Sequence, residues 1–442
     1  MFTHHSRTTL TTLLLCAAVL SGPACAKPPA AARLTIWHWM TDRDEAFQAL
    51  ARRYTQETGL PVRFELYAPS ELYSQKIRGA AQTDTLPDIF GVLGESRDFA
   101  SLVKAGFIAE LTPAMEAQDA AWRSRFFPKA LEMNSFTAGN ASGVAPGIYG
   151  VPIDVTTIQL VYNKRLFERA GLDADRFPRT WEAWLEAGRR LKAAGITGFV
   201  SGWGETWLLD CFASNYAWNL MGREKVLATL RGEVPYTDPD WIRVLALFKE
   251  LRDAGFLYDG LVTMVNKRAE QVFANEGAAV AFNGSWCVNV YHGMNPSLEY
   301  GVALPPQLSD EHPMVIWGGA GSSFMVNART PRRAEAIHFL QWLTDLPQQR
   351  FLVEATRNLP STRAAAETIP PALVPFATAV DRAVHPSLLP VQEAPAVVEA
   401  WGKGIQSILT GEQTPEQVAR AVQEVKEREL ARQRGLARQP RS

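Results

Sequence analysis

Residues 34–66 constrain the fold more than any other stretch of the chain. The run LTIWHW at 34–39 is short, β-branched and aromatic, which is the composition of a buried strand. Thr41 or Asp42 then caps a helix whose apolar positions Phe47, Leu50, Ala51 and Tyr54 recur at helical spacing until Gly59 stops it. After Pro61, Val62, Phe64 and Leu66 alternate with period two. Strand, helix and strand in succession build a parallel sheet, because parallel neighbours need a crossover long enough to hold a helix. Ligands of open α/β sheets bind beyond the carboxyl ends of the strands. Trp39 stands just past the first such end and is therefore a candidate ligand-contacting residue, with core packing as its competing reading.

Several later segments repeat the theme. Residues 87–92 (PDIFGV) read as a strand opening into Gly94-Glu95-Ser96-Arg97, and residues 157–162 alternate before a helix around Leu166 and Phe167 closed at Gly171. Thr180 caps a helix with Trp181, Trp184 and Leu191 on one face. Residues 199–207 (FVSGWGETW) break both periodicities, so Trp203 and Trp207 are placed in a strand-end loop. Residues 272–282 form a strand ending in Asn283-Gly284-Ser285-Trp286, and the Gly-rich run 318–321 precedes another strand and a helix begun by Thr330-Pro331. Near the end, Thr414-Pro415-Glu416-Gln417 is a capping box.

At 442 residues the chain exceeds what one core organises, so about two domains are expected. Lysine and arginine number 45 against 46 acids, and a net charge of −1 offers no field to draw in nucleic acid. The 13 tryptophans are an excess, and such rings are platforms for flat-faced ligands such as sugars. Trp181, Trp184, Trp241, Trp342 and Trp122 are assigned to helical faces, and Trp39, Trp203, Trp207 and Trp286 to strand ends around one cleft. At the other extreme of the chain, Arg7, the apolar run 10–20, Gly22-Pro23 and Ala24-Cys25-Ala26 form a secretory signal pattern covering residues 1–26. Export to the periplasm follows, either free after cleavage at Ala26 or anchored through a lipidated Cys25. In that compartment Cys211 and Cys287 either form one disulfide or remain two buried thiols. No clustered histidines, C-x-x-C, nucleophile elbow, P-loop or dinucleotide fingerprint occurs, so neither a metal nor a cofactor is expected. Paired carboxylates are defined in space, so an exported glycoside hydrolase or lyase stays the alternative to a binding protein.

The order of these segments resembles the extracellular solute-binding proteins of carbohydrate ABC importers, the group containing maltose- and glycerol-3-phosphate-binding proteins. LTIWHW, LPDIF, YGVPIDVTTIQLVYNKRLFERAGL, PRTWEAW, EGAAVAFNGSW and GGAGSSFMVN carry the likeness, over about residues 33–425. It implies a two-lobed periplasmic-binding-protein fold of α/β class, type II-like, with three hinge crossings near residues 154–157, Trp286 and residues 319–323. The first lobe would combine 27–155 with 287–320, and the second 156–286 with 321–442. The resemblance further implies a monomer without catalytic activity that binds a sugar or sugar derivative and delivers it to membrane permease subunits. In that frame Trp39, Glu95 and Arg97 contact ligand from the first lobe, Asp154 accepts from hydroxyls, and Trp203, Trp207 and Trp286 stack on sugar faces. Gly319 and Gly321 would let backbone amides approach. Arg357 stands before Asn358-Leu359-Pro360, where the family reads G-x-L-P, and offers a cationic donor suited to an anionic or phosphorylated ligand.

Overall fold

The computed structural model describes Met1 and residues 33–68, 70–93, 97–140, 142–384 and 393–437. Residues 2–26 of the expected signal segment, Cys25 included, lie outside the described residues. Strand Leu34–His38 pairs in parallel with Val62–Leu66 on one side and with Ile89–Leu93 on the other, and helix Asp44–Thr58 makes the first crossover. Gly59 ends that helix at φ 75° and its N–H returns to the Thr55 carbonyl. Two long strands, Val151–Asn163 and Ile316–Val326, then extend the sheet out of this unit and into a second one. Their outer parts pair antiparallel at one end with Ile89–Leu93 and at the other with Val280–Gly284, which in turn pairs in parallel with Phe199–Val200. The result is one curled sheet shared by two lobes.

Each lobe has its own core. In the first, Leu34, Ile36, Phe47, Phe64, Ile89 and Ile153 pack with Phe324, Phe339 and Leu340. In the second, Ile158 and Leu160 pack with Trp184, Phe212, Trp241, Phe248, Phe282 and Trp401. This partition differs from the expected boundaries after residue 286. Helix Cys287–Met294 stays in the second lobe, because Cys287, Val288 and Tyr291 bury against Val161 and Phe273. Residues 324–352 belong instead to the first lobe, since Phe324, Phe339 and Leu352 fill its core. The crossing expected near Trp286 is therefore absent there, and the chain returns to the second lobe at 357–359, where Leu359 pairs with Val155. Cys211 and Cys287 are both buried and are not joined in a disulfide. No helix among the described residues is long and apolar enough to cross a membrane.

Trp203 is corrected by the packing. It is fully buried, with its ring 5.1 Å from Phe199, 5.4 Å from Phe212 and 5.5 Å from Phe248. A Cβ on the neighbouring Gly202 would sit 2.4 Å from the Asn266 Cα, so glycine lets the two backbones touch and turns the loop inward. Trp203 is thus part of the core, and Trp203→Ala is expected to lose about 3–5 kcal/mol of stability in urea unfolding. A second prediction concerns His38, which ends the first strand fully buried with Nε2 3.1 Å from Asp44 Oδ1. Burial holds its imidazole down to about 4 from 6.5, against the opposing pull of Asp44. The unfolded chain therefore takes up this proton near pH 6.5 while the folded protein refuses it until about 4. Stability is untouched above that window and falls by about 3 kcal/mol as pH drops through it. Urea titrations of wild type and His38→Asn on both sides of the window check this; the wild type should lose more.

Candidate ligand-binding cleft

The three crossings meet at one level, and polar side chains collect there. Asp154 stands in the middle of strand Val151–Asn163, is buried, and accepts the Ser322 N–H through Oδ1 at 2.7 Å. The facing strand is irregular at this place, with register shifts between Ala320 and Ser323. A Cβ at Gly321 would lie 2.6 Å from Asp154 Oδ1, so only glycine admits that carboxylate. Arg43, which precedes helix Asp44–Thr58, forms an ion pair with the other Asp154 oxygen. Its guanidinium also donates to Ser322 Oγ at 2.9 Å, Asn358 Oδ1 at 3.3 Å and Asp42 Oδ2 at 3.3 Å. Asn358 Nδ2 in turn donates to Asp42 at 3.2 Å. Burial pushes the Asp42 carboxyl upward, yet Arg43, the Asn358 bond and Lys267 together hold it below its ordinary value. Lys267 belongs to a second-lobe helix, so its charge reaches a first-lobe carboxylate across the gap between lobes.

The second-lobe wall is built around Glu270, which is fully buried on helix Asn266–Ala274. Its Oε1 accepts from Asn266 Nδ2 at 3.0 Å, Asn283 Nδ2 at 3.3 Å and Trp286 Nε1 at 2.9 Å, and Lys267 Nζ stands 3.2 Å from Oε2. The partly exposed Trp286 ring is fixed by that bond, 6.0 Å from the ring of the equally part-buried Trp207 at an interplanar angle of 50°. Ser285 and Thr156 join the wall to the floor through their hydroxyls at 3.0 Å. On the first-lobe side the Trp39 ring lies over Gly91 and is tilted 40° against Tyr73 at 5.2 Å. Trp39, Trp207 and Trp286 keep part of each ring exposed, a platform suited to the apolar face of a polyhydroxylated ligand, while Asp154, Glu270, Asn283 and Asn358 are buried and hold their neighbours in place.

The expected site residues distribute unevenly over this arrangement. Trp39, Asp154, Gly321, Trp207 and Trp286 take the positions just given, and Gly319 is buried in its strand opposite Thr156. Trp203 is in the core. Glu95 lies outside the described residues, as does the Arg97 side chain, whose backbone opens helix Arg97–Lys104. Arg357 caps helix Leu346–Thr356 at φ 47°, and its Nη2 meets His292 Nε2 of the second lobe at 3.0 Å. Its charge thus links the lobes at the third crossing. Asp42, Arg43, Lys267, Glu270, Asn283 and Asn358 were not among the expected set. The strand-end rule that selected Trp39 covers Asp42 and Arg43 equally, but Glu270 lies on helix Asn266–Ala274, whose last turn overlaps the expected strand 272–282 (the strand itself is Val280–Gly284), and nothing in that stretch distinguishes Glu270 from a solvated acid.

Residues 37–350 match the family model described as bacterial extracellular solute-binding protein. The sn-glycerol-3-phosphate-binding periplasmic protein UgpB of Shigella flexneri is 26% identical over 223 residues, 48% of this chain and 49% of that one. The Brucella abortus (strain 2308) protein of the same name is 28% identical over 226 residues, 49% of each chain. These matches span about half the length of the relatives. Among solved structures, a chitin oligosaccharide binding protein superposes with TM-score 0.75 at 22% identity, covering 89% of this chain and 98% of that one. A protein titled SBP RafE in complex with raffinose gives 0.73 at 16% identity, over 89% and 98%. At such identities the likeness is one of fold. From the geometry, Trp286→Ala and Trp207→Ala are each expected to weaken binding of a cleft ligand by roughly tenfold or more while leaving the urea midpoint near wild type. Calorimetric titration paired with unfolding curves checks both readouts.

Proposed function

Because the chain belongs to the bacterial extracellular solute-binding proteins, we propose that it captures a sugar or sugar derivative between its lobes and delivers it to the permease subunits of an ABC transporter. One observation supports this reading: Arg43 bonds to side chains on all three crossings, Asp154, Ser322 and Asn358, so the lobes meet at a polar hinge, and partly exposed tryptophan rings stand in both lobes, Trp39 in one and Trp207 and Trp286 in the other. A ligand touching both walls meets all its contacts only when the lobes are closed, so binding shifts the population toward closure. Closure is then the signal the permease reads. The names of the relatives, matched over about half their length, point to glycerol 3-phosphate, and the titles of the structural neighbours to oligosaccharides. In this reading the protein works as a monomer in the periplasm, after removal of residues 1–26 or anchored at Cys25.

The enzyme alternative needs two carboxylates free to act on a scissile bond. Asp154 is ion-paired with Arg43, and Glu270 holds Trp286 and two asparagines, which favours a binding surface. A thermal-shift screen of the purified protein with maltose, raffinose, chitin oligosaccharides and glycerol 3-phosphate tests the proposal. Ligand at about a hundred times its Kd adds about 2.7 kcal/mol to stability and raises Tm accordingly. Chromatography of the incubated sugars should return them intact; a cleaved product would sink the binding reading.

A further inference from the structure

Arg43 has a property that no other described side chain shares on these contacts: it bonds to all three crossings at once. Its partner Asp154 lies where strand Val151–Asn163 passes from the Ile153 side of the first core to the Val155 side of the second. Ser322, whose hydroxyl accepts at 2.9 Å, lies where strand Ile316–Val326 makes the reverse passage. Asn358, accepting at 3.3 Å, lies between helix Leu346–Thr356 and strand Leu359–Pro360, the third passage. The fourth bond, to the adjacent Asp42, holds the guanidinium to its own lobe. Arg43 has only 12% of its side chain exposed. The hollow beside it, walled in part by Asp154, Gln349, Thr356 and Asn358, measures about 10 Å3, room for about one water.

We propose that Arg43 is a positioning residue that ties the three crossings together and so sets how widely the ligand-free lobes separate. A hinge opens by backbone rotations in a few residues at its crossings. A planar group with five donors, bonded to one side chain on each crossing, permits those rotations only where its bonds survive. The ligand-free protein is thereby kept to a narrow range of opening, and ligand affinity depends on Arg43 even where ligand never touches it, because affinity scales with the fraction of molecules able to close. Lysine, with one charge point in place of the fork, reproduces only part of the tie.

The test needs no ligand, so its failure and that of the proposed function are distinguishable. Spin labels at Arg52→Cys on a first-lobe helix and Glu182→Cys on a second-lobe helix report the separation of the lobes by pulsed EPR; both positions are exposed, and the native thiols are buried. Arg43→Met should broaden the distance distribution roughly twofold, with Arg43→Lys intermediate and Asn358→Ala broadening it less. A distribution in Arg43→Met that matches wild type overturns the proposal. Should Arg43→Met fail to fold, Arg43→Lys and Asn358→Ala decide: wild-type distributions in both overturn it, and broadening in both supports it. A merely structural role would lower Tm in these variants without moving the distances.

Discussion

The arrangement of the lobes rests on a buried ion pair between Arg43 and Asp154. Taking two charges out of water costs several kcal/mol for each, and the interior returns that cost only where hydrogen bonds satisfy both groups. Here they do. One Asp154 oxygen faces Arg43 and the other accepts the Ser322 N–H, while the guanidinium reaches Ser322, Asn358 and Asp42. The rest of the junction follows from making room for this network. Gly321 lacks the Cβ that would collide with the carboxylate, and the strand that carries it departs from regular register at the same place. Had the two long strands paired without interruption, the Ser322 N–H would have gone to the ladder rather than to Asp154.

The aromatic residues divide by what their polar atoms are offered. Trp241 gives its Nε1 proton to Thr229 at 2.8 Å and Trp181 to Glu250 at 2.6 Å, so each is fixed inside or against its own lobe. Trp286 gives its proton to Glu270, whose burial aims the bond into the lobe and leaves part of the ring outside. The same residue type therefore serves as core or platform, and packing decides where no acceptor does: Trp203 and Trp401 are fully buried with no bond to Nε1 among the described residues. For Trp286 the exposure of one face follows from where its acceptor sits, which is a tertiary fact.

That distinction marks how far the sequence was legible. Period-two and period-3.6 patterns placed the first strand, helix and strand, and the Thr180 cap with Trp181 and Trp184 inward, because these depend on neighbours within a few residues. Trp203 was misread since its loop turns inward on a contact between Gly202 and Asn266, distant in sequence. The lobe partition after residue 286 was misread for a similar reason. A helix beginning at Cys287 reads alike in either lobe until one knows that Tyr291 packs against Phe273. Glu270 carried no local mark, and Arg43 none beyond its place after the first strand, because a charge destined for burial is recognisable only by the partners that surround it.

Closure must be weighed against the contacts available to drive it. Moving a two-state equilibrium from one part in a hundred closed to ninety-nine requires about 5.5 kcal/mol of preference for the closed form. A hydrogen bond to a charged group contributes about 1.5–3 kcal/mol net, and aromatic stacking about 0.5–1.5 kcal/mol. Two or three bonds to charged groups such as Asp42 and Lys267, with one ring face from Trp286, reach that figure. Lys267 also attracts Asp42 across the gap before any ligand arrives. This attraction and the Arg43 tie act on the same floor, so the ligand need supply only the remainder of the preference. Only contacts made in the closed form supply that remainder, so a ligand that reaches both lobes drives closure and one gripped by a single lobe does not, however tightly it is held.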